Sequence, residues 1–96
     1  MPKNSLIVPD LYQVTGAAHA VVADSILYTS VLGPVDRHGQ TISNGLKAQA
    51  EQVYANLEAV LQRAGATWAD VVKVYTYVAP QAVTPYHSVL KSWLET

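Results

Sequence analysis

Three histidines, a serine at a strand end, a lysine between valines and two arginines are the side chains in this chain best suited to chemistry. His19, His38 and His87 match no metal-ligand spacing, and no acidic residue stands in HExxH-like register. No metal site and no cofactor is therefore expected. His87 is the best acid/base candidate, because an imidazole titrates near neutrality; its plainer reading is an exposed helical histidine. Ser30 could be written into a triad with a histidine and an aspartate, but no GxSxG elbow presents it as a nucleophile. Lys73 would suit a Schiff base if burial lowered its pKa. Alternation instead groups it with Val71, Tyr75 and Tyr77, which reads as a partly solvated face. Arg37 falls in a turn and Arg63 late on a helix.

The elements that must position these groups follow from periodicity. Leu46, Ala50, Val53, Leu57, Val60, Leu61 and Ala64 recur at three- and four-residue steps, which predicts one amphipathic helix of about five turns. Gly65 ends it, and Ser43 or Asn44 is the expected N-cap. Thr67 and Asp70 signal a capped turn, after which Val71–Val78 reads as a strand. Ala17–Ala23 and Ile26–Leu32 read as strands of a hairpin joined by Asp24-Ser25. Asp36-Arg37-His38-Gly39 is a turn. Thr84-Pro85 supplies an N-cap and a first-turn proline for a second helix, with Tyr86, Val89, Leu90, Trp93 and Leu94 on its apolar face. Residues 1–15 read as an arm with a short strand.

Composition bounds the rest. Ninety-six residues suit one domain, and 50% hydrophobic with 14% charged residues indicates a packed core. A net charge of −1 with no basic cluster argues against nucleic acid as a partner. Without cysteine there is neither a disulfide framework nor a thiolate metal site. No apolar run approaches a membrane span, and MPKNSLIVPD is not a signal peptide, so the cytoplasm is the expected location and no membrane partner is expected. The low charge fraction leaves monomer and self-association both open.

Beyond these patterns, the chain resembles a known family. Gln49-Ala50, Asn56-Leu57, Val60-Leu61, Ala64-Gly65-Ala66, Asp70-Val71-Val72-Lys73-Val74 and Tyr77-Val78, with Ala18-His19-Ala20-Val21 and Tyr28-Thr29-Ser30 upstream, resemble the YjgF/RidA family over roughly residues 16–94. These are reactive-intermediate deaminases, labelled in older schemes as endoribonuclease L-PSP. The resemblance implies an α/β fold: a mixed β-sheet with two α-helices packed on one face, chorismate-mutase-like. It also implies a homotrimer with small-ligand pockets between subunits, and hydrolysis of enamines and imines such as 2-aminoacrylate to a carbonyl product and ammonia.

The site departs from the family pattern. A family tyrosine falls at Ala17, and the family's Ser-Gly pair falls at Ser30-Val31, so Ala17, Ser30 and Val31 are the expected substrate-binding positions. A family asparagine falls at His87 or Ser88. The family's Pro-Ala-Arg-Thr-like segment and late glutamate, carried by two further strands, have no match before Thr96. A truncated product, a short natural variant and strands supplied from elsewhere all remain open. The arginine of that segment grips the substrate carboxylate with its planar fork. Losing such a partner costs about 2–5 kcal/mol, roughly 30- to several-thousand-fold in rate. Two functions follow: a divergent imine deaminase, in which Ala17 makes room for a larger substrate, or a catalytically reduced trimer that binds a small ligand or serves structurally.

Overall fold

The computed structural model describes residues 3–13 and 17–95. Three short strands, β1 (Lys3–Leu6), β2 (Ala20–Ala23) and β3 (Ile26–Thr29), form an antiparallel sheet in the order β1-β2-β3. Two helices follow, α1 (Leu46–Ala64) and α2 (Val83–Leu94), with 3-10 turns at Trp68–Asp70 and Pro80–Ala82 between them. This is the expected α/β architecture of sheet and two helices.

The β2–β3 hairpin turns on Asp24 and Ser25, both at positive φ (52° and 66°), the twist that a two-residue connection requires. Its register pairs Val22 with Leu27 and Ala20 with Thr29, while β1 sets Leu6 opposite Ala20. Leu6, Ala20 and Leu27 thereby share one face, and there they meet α1: Val60, fully buried, packs in one cluster with Ala20 and Val8. Tyr28 lies on the other face and is exposed.

Helix α2 packs along α1. Tyr54 of α1 sits edge-to-face against Trp68 and Tyr86, ring centroids 6.4 Å apart in each case. The Trp93 indole N–H donates to the Glu51 carboxylate at 3.1 Å and ties the helices together. At the far end of α1, Gly65 adopts a left-handed conformation (φ 77°). The Ala66 N–H reaches back to the Leu61 carbonyl at 2.8 Å, closing the helix as its glycine predicts.

Four boundaries differ from the sequence reading. The strands are shorter than Ala17–Ala23 and Ile26–Leu32: pairing starts at Ala20 and ends at Thr29, because the chain bends at His19 and the 30–35 loop leaves the ladder. At the start of α1 neither Ser43 nor Asn44 caps the helix; Gly45, at φ 100°, is the N-cap residue and makes no side-chain bond. Helix α2 begins at Val83, one residue before Thr84, because the Pro80–Ala82 turn winds directly into it. Pro85 still lies in the first turn, where a missing N–H costs nothing.

The largest difference is Val71–Val78. Its backbone is extended at Val71, but among the described residues this run makes no main-chain ladder with any element, so it is not a strand. A period-2 pattern gives a strand only when a neighbour supplies the ladder. The described sheet is accordingly antiparallel throughout, without the mixed pairing expected. Lys73 is exposed there and lies 4.9 Å over the Tyr75 ring, consistent with a solvated face and not with a buried Schiff-base lysine.

Candidate functional site

Ala17, Ser30 and Val31 come together at a cavity of about 370 Å³. The wall on one side is the segment Leu11–Tyr12, on the other the loop Ser30–Val35 that leaves β3, and Asn56 of α1 closes the base.

His19 fixes the first wall. The buried Val8 N–H donates to its Nδ1 at 2.8 Å, and its Nε2 lies 3.0 Å from the Tyr12 carbonyl. With Nδ1 accepting, Nε2–H donates to the Tyr12 carbonyl, so both ring nitrogens are occupied. The His19 backbone adds an N–H donated to Leu6 and a carbonyl that accepts from the Ser30 N–H (3.0 and 2.9 Å). One residue thus binds the arm to the sheet and to the opposite wall. Tyr12 is seated by Gly39: a Cβ there would stand 2.7 Å from the tyrosine ring, and the backbone is at φ 82°. The turn behind Gly39 is held by Asp36, whose carboxylate accepts from the Gln40 and His38 N–H groups. Those bonds, the Gln40 one foremost, keep it below the usual carboxylate range.

Asn56 fixes the second wall. It is 7% exposed, and its amide nitrogen donates to the carbonyls of Gly33 (3.1 Å) and Val35 (3.0 Å). Its oxygen accepts from the Gln52 amide one helical turn earlier, at 2.8 Å. Both N–H donors are thus used and the amide is locked in one orientation. The loop it holds carries Ser30 and Val31 at its start.

The other expected groups stand elsewhere. His87 is exposed on α2 and does not line this cavity; nor does it line a second groove between α1 and α2 that Lys47, Glu51 and Ser88 flank. His38 is exposed in its turn. No three His, Asp or Glu side chains converge to hold a metal ion among the described residues. Arg63 donates to the Ile7 carbonyl at 3.3 Å, and Arg37 is exposed; neither borders the cavity. Sequence reasoning did not assign Tyr12, His19 or Asn56 to the site. For Asn56 a signal existed: it falls between Val53 and Val60 at helical spacing, a polar residue on an apolar stripe. No local pattern marks the other two, because their partners are distant in sequence.

The fold is a three-stranded antiparallel sheet covered by two helices, with a cavity between its hairpin and first helix. The family model described as endoribonuclease L-PSP matches residues 11–96, and the chain belongs to this family, the YjgF/RidA family. A RutC family protein of Synechocystis is 38% identical over 61 residues, 62% of this chain and 47% of that protein. One from Pyrococcus horikoshii is 32% identical over 62 residues, 64% and 49% of the two chains. The matched region spans about half the length of these curated relatives. Among solved structures, yeast Mmf1 has a TM-score of 0.90 at 18% identity, covering 99% of this chain and 78% of its own. A conserved Rid family protein from Yersinia pestis has 0.85 at 21%, covering 96% and 75%. At these identities the likeness is one of fold. Among the described residues no helix is long and apolar enough to cross a membrane.

Proposed function

We propose that this chain is a divergent RidA-like deaminase that hydrolyses reactive imines or enamines to a carbonyl product and ammonia. The reaction adds water across C=N and expels ammonia: R₂C=NH + H₂O gives R₂C=O + NH₃. The observation that carries the proposal is that Ala17, before β2, and the adjacent pair Ser30-Val31, after β3, line one cavity of small-ligand size. In this reading the Ser30 hydroxyl hydrogen-bonds the imine nitrogen or the attacking water, and Ala17 leaves space for the substrate body. The active unit is a homotrimer with the pockets between subunits, in the cytoplasm. A light-scattering mass near three times the 10.4 kDa chain would support the assembly, and a stable monomer would refute it.

A second reading has an observation of its own. No arginine or lysine lines the cavity, so a substrate carboxylate has no partner among the described residues. That favours a family member that binds a small ligand without turning over 2-imino acids. A coupled assay of 2-aminoacrylate clearance separates the two: acceleration above the uncatalysed rate supports deamination, and an unchanged rate with retained ligand binding selects the binder.

A further inference from the structure

We infer that Asn44 is a site of spontaneous deamidation, its side-chain amide converting to a carboxylate through a cyclic imide formed with the main-chain nitrogen of Gly45.

Of the three asparagines, Asn44 alone is followed by glycine. Ring closure brings the Gly45 nitrogen against the Asn44 side-chain carbonyl carbon, and a following residue without Cβ leaves that approach open. The fold adds to this. Both residues are exposed, and nothing lies within 4 Å of the point where a Cβ on Gly45 would stand. Among the described residues neither the Asn44 side chain nor the Gly45 N–H makes a hydrogen bond, so no bond need break before the two atoms meet. The other two asparagines are held. Asn4 lies in β1, paired with Val22 in the ladder, and Asn56 is helical with its amide bonded to Gly33 and Val35. The glycine at 45 is itself required, because its φ of 100° is a conformation that strains any side chain.

The chemistry balances with solvent water as the only co-reactant. The Gly45 nitrogen loses its proton and bonds to the Asn44 Cγ, while the Cγ–Nδ2 bond breaks and ammonia leaves. Water then opens the imide at either carbonyl. Attack at Cγ restores the original main chain with an aspartate at 44. Attack at the main-chain carbonyl carbon leaves an isoaspartate, whose chain runs on through Cγ. Either product takes the formal net charge from −1 to −2. The new charge arises one residue before the N-cap of α1, a helix with no side-chain cap and no acidic residue in its first turn. The isoaspartate also adds one methylene to the main chain inside a short tether. Ile42 is fixed by the Pro34 carbonyl at 2.8 Å and the Gln49 side chain at 2.9 Å, and Gly45 by the Gln49 N–H at 3.0 Å.

Trypsin cuts after Lys3, Arg37, Lys47 and Arg63, which puts the three asparagines in separate peptides, 4–37, 38–47 and 48–63. The full folded chain is aged at mildly alkaline pH, and its digests are compared with a zero-time sample by mass spectrometry. Peptide 38–47 is expected to gain about 1 Da, the exchange of an amide NH₂ for OH, at least tenfold faster than the other two. It should split into two isomers, one co-eluting with the Asn44→Asp peptide and the other accepting a methyl group from an isoaspartate-specific methyltransferase. Asn44→Gln, whose imide ring would be six-membered, should abolish the early release of ammonia. If 38–47 gains mass no faster than 4–37, or stays intact in the folded chain while the isolated peptide reacts, the fold protects Asn44 and the inference is wrong. A single aspartyl product without isoaspartate would overturn the imide route.

Discussion

Asn56 offers the sharpest test of how the cavity is built. Replacing it with alanine deletes three hydrogen bonds, at 2.8, 3.0 and 3.1 Å, from a side chain that is 7% exposed. At about 0.5–1.5 kcal/mol net for each bond, Asn56→Ala should lose roughly 1.5–4.5 kcal/mol. That is a large share of the roughly 5–15 kcal/mol by which a small domain is stable. With a urea slope of about 1–3 kcal/mol per molar, a loss near 3 kcal/mol moves the unfolding midpoint down by about 1–3 M at fixed protein concentration. Gln52→Ala removes only one of the three bonds and should cost about 1 kcal/mol; the double variant should fall short of the sum by a similar amount. Asn56→Asp adds a pH signature. Its oxygens would face the Gly33 and Val35 carbonyls, so the folded chain holds that carboxyl above its unfolded value of about 3.9. The unfolded state then ionises first, and the deficit grows as pH rises from about 4 towards neutrality. An Asn56→Ala protein within 0.5 kcal/mol of the parent, with unshifted Ser30–Val35 amides, would refute the claim that this side chain holds the cavity wall.

Further outcomes follow from the same geometry. His19→Ala should cost about 1–3 kcal/mol, because it strands the buried Val8 N–H, and hydrogen exchange at Val8 should accelerate selectively. Gly39→Ala should cost about 1–3 kcal/mol through its positive φ and the clash with Tyr12; adding Tyr12→Ala should recover only the clash, as urea midpoints would reveal. Burial raises the Tyr54 phenol above its ordinary value of 10.0, assisted by Tyr86 and opposed by a hydrogen bond with Thr76, and burial raises Tyr86 likewise. The unfolded chain therefore releases these protons first, and stability should fall as pH climbs past about 10. Ultraviolet titration should resolve a late-ionising fraction that Tyr54→Phe and Tyr86→Phe remove.

Much of this protein was legible along the chain, for physical reasons that are local. The 3.6-residue stripe from Leu46 to Ala64 and the glycine after it specify α1 and its end, because helix hydrogen bonds and caps connect residues only a few positions apart. The Asp24-Ser25 turn likewise fixes the β2–β3 register. The spaced residues around α1 suffice to identify the family. Tertiary structure decided what depends on distant partners. Whether Val71–Val78 becomes a strand rests on a neighbouring ladder, which no periodicity can supply. The same limit applies to His19, whose ring bonds span 11 and 7 residues, and to Asn56, whose carbonyl partners lie 23 and 21 residues away. In sequence both look available for chemistry. Only the fold shows the N–H donors of both side chains committed to holding the walls.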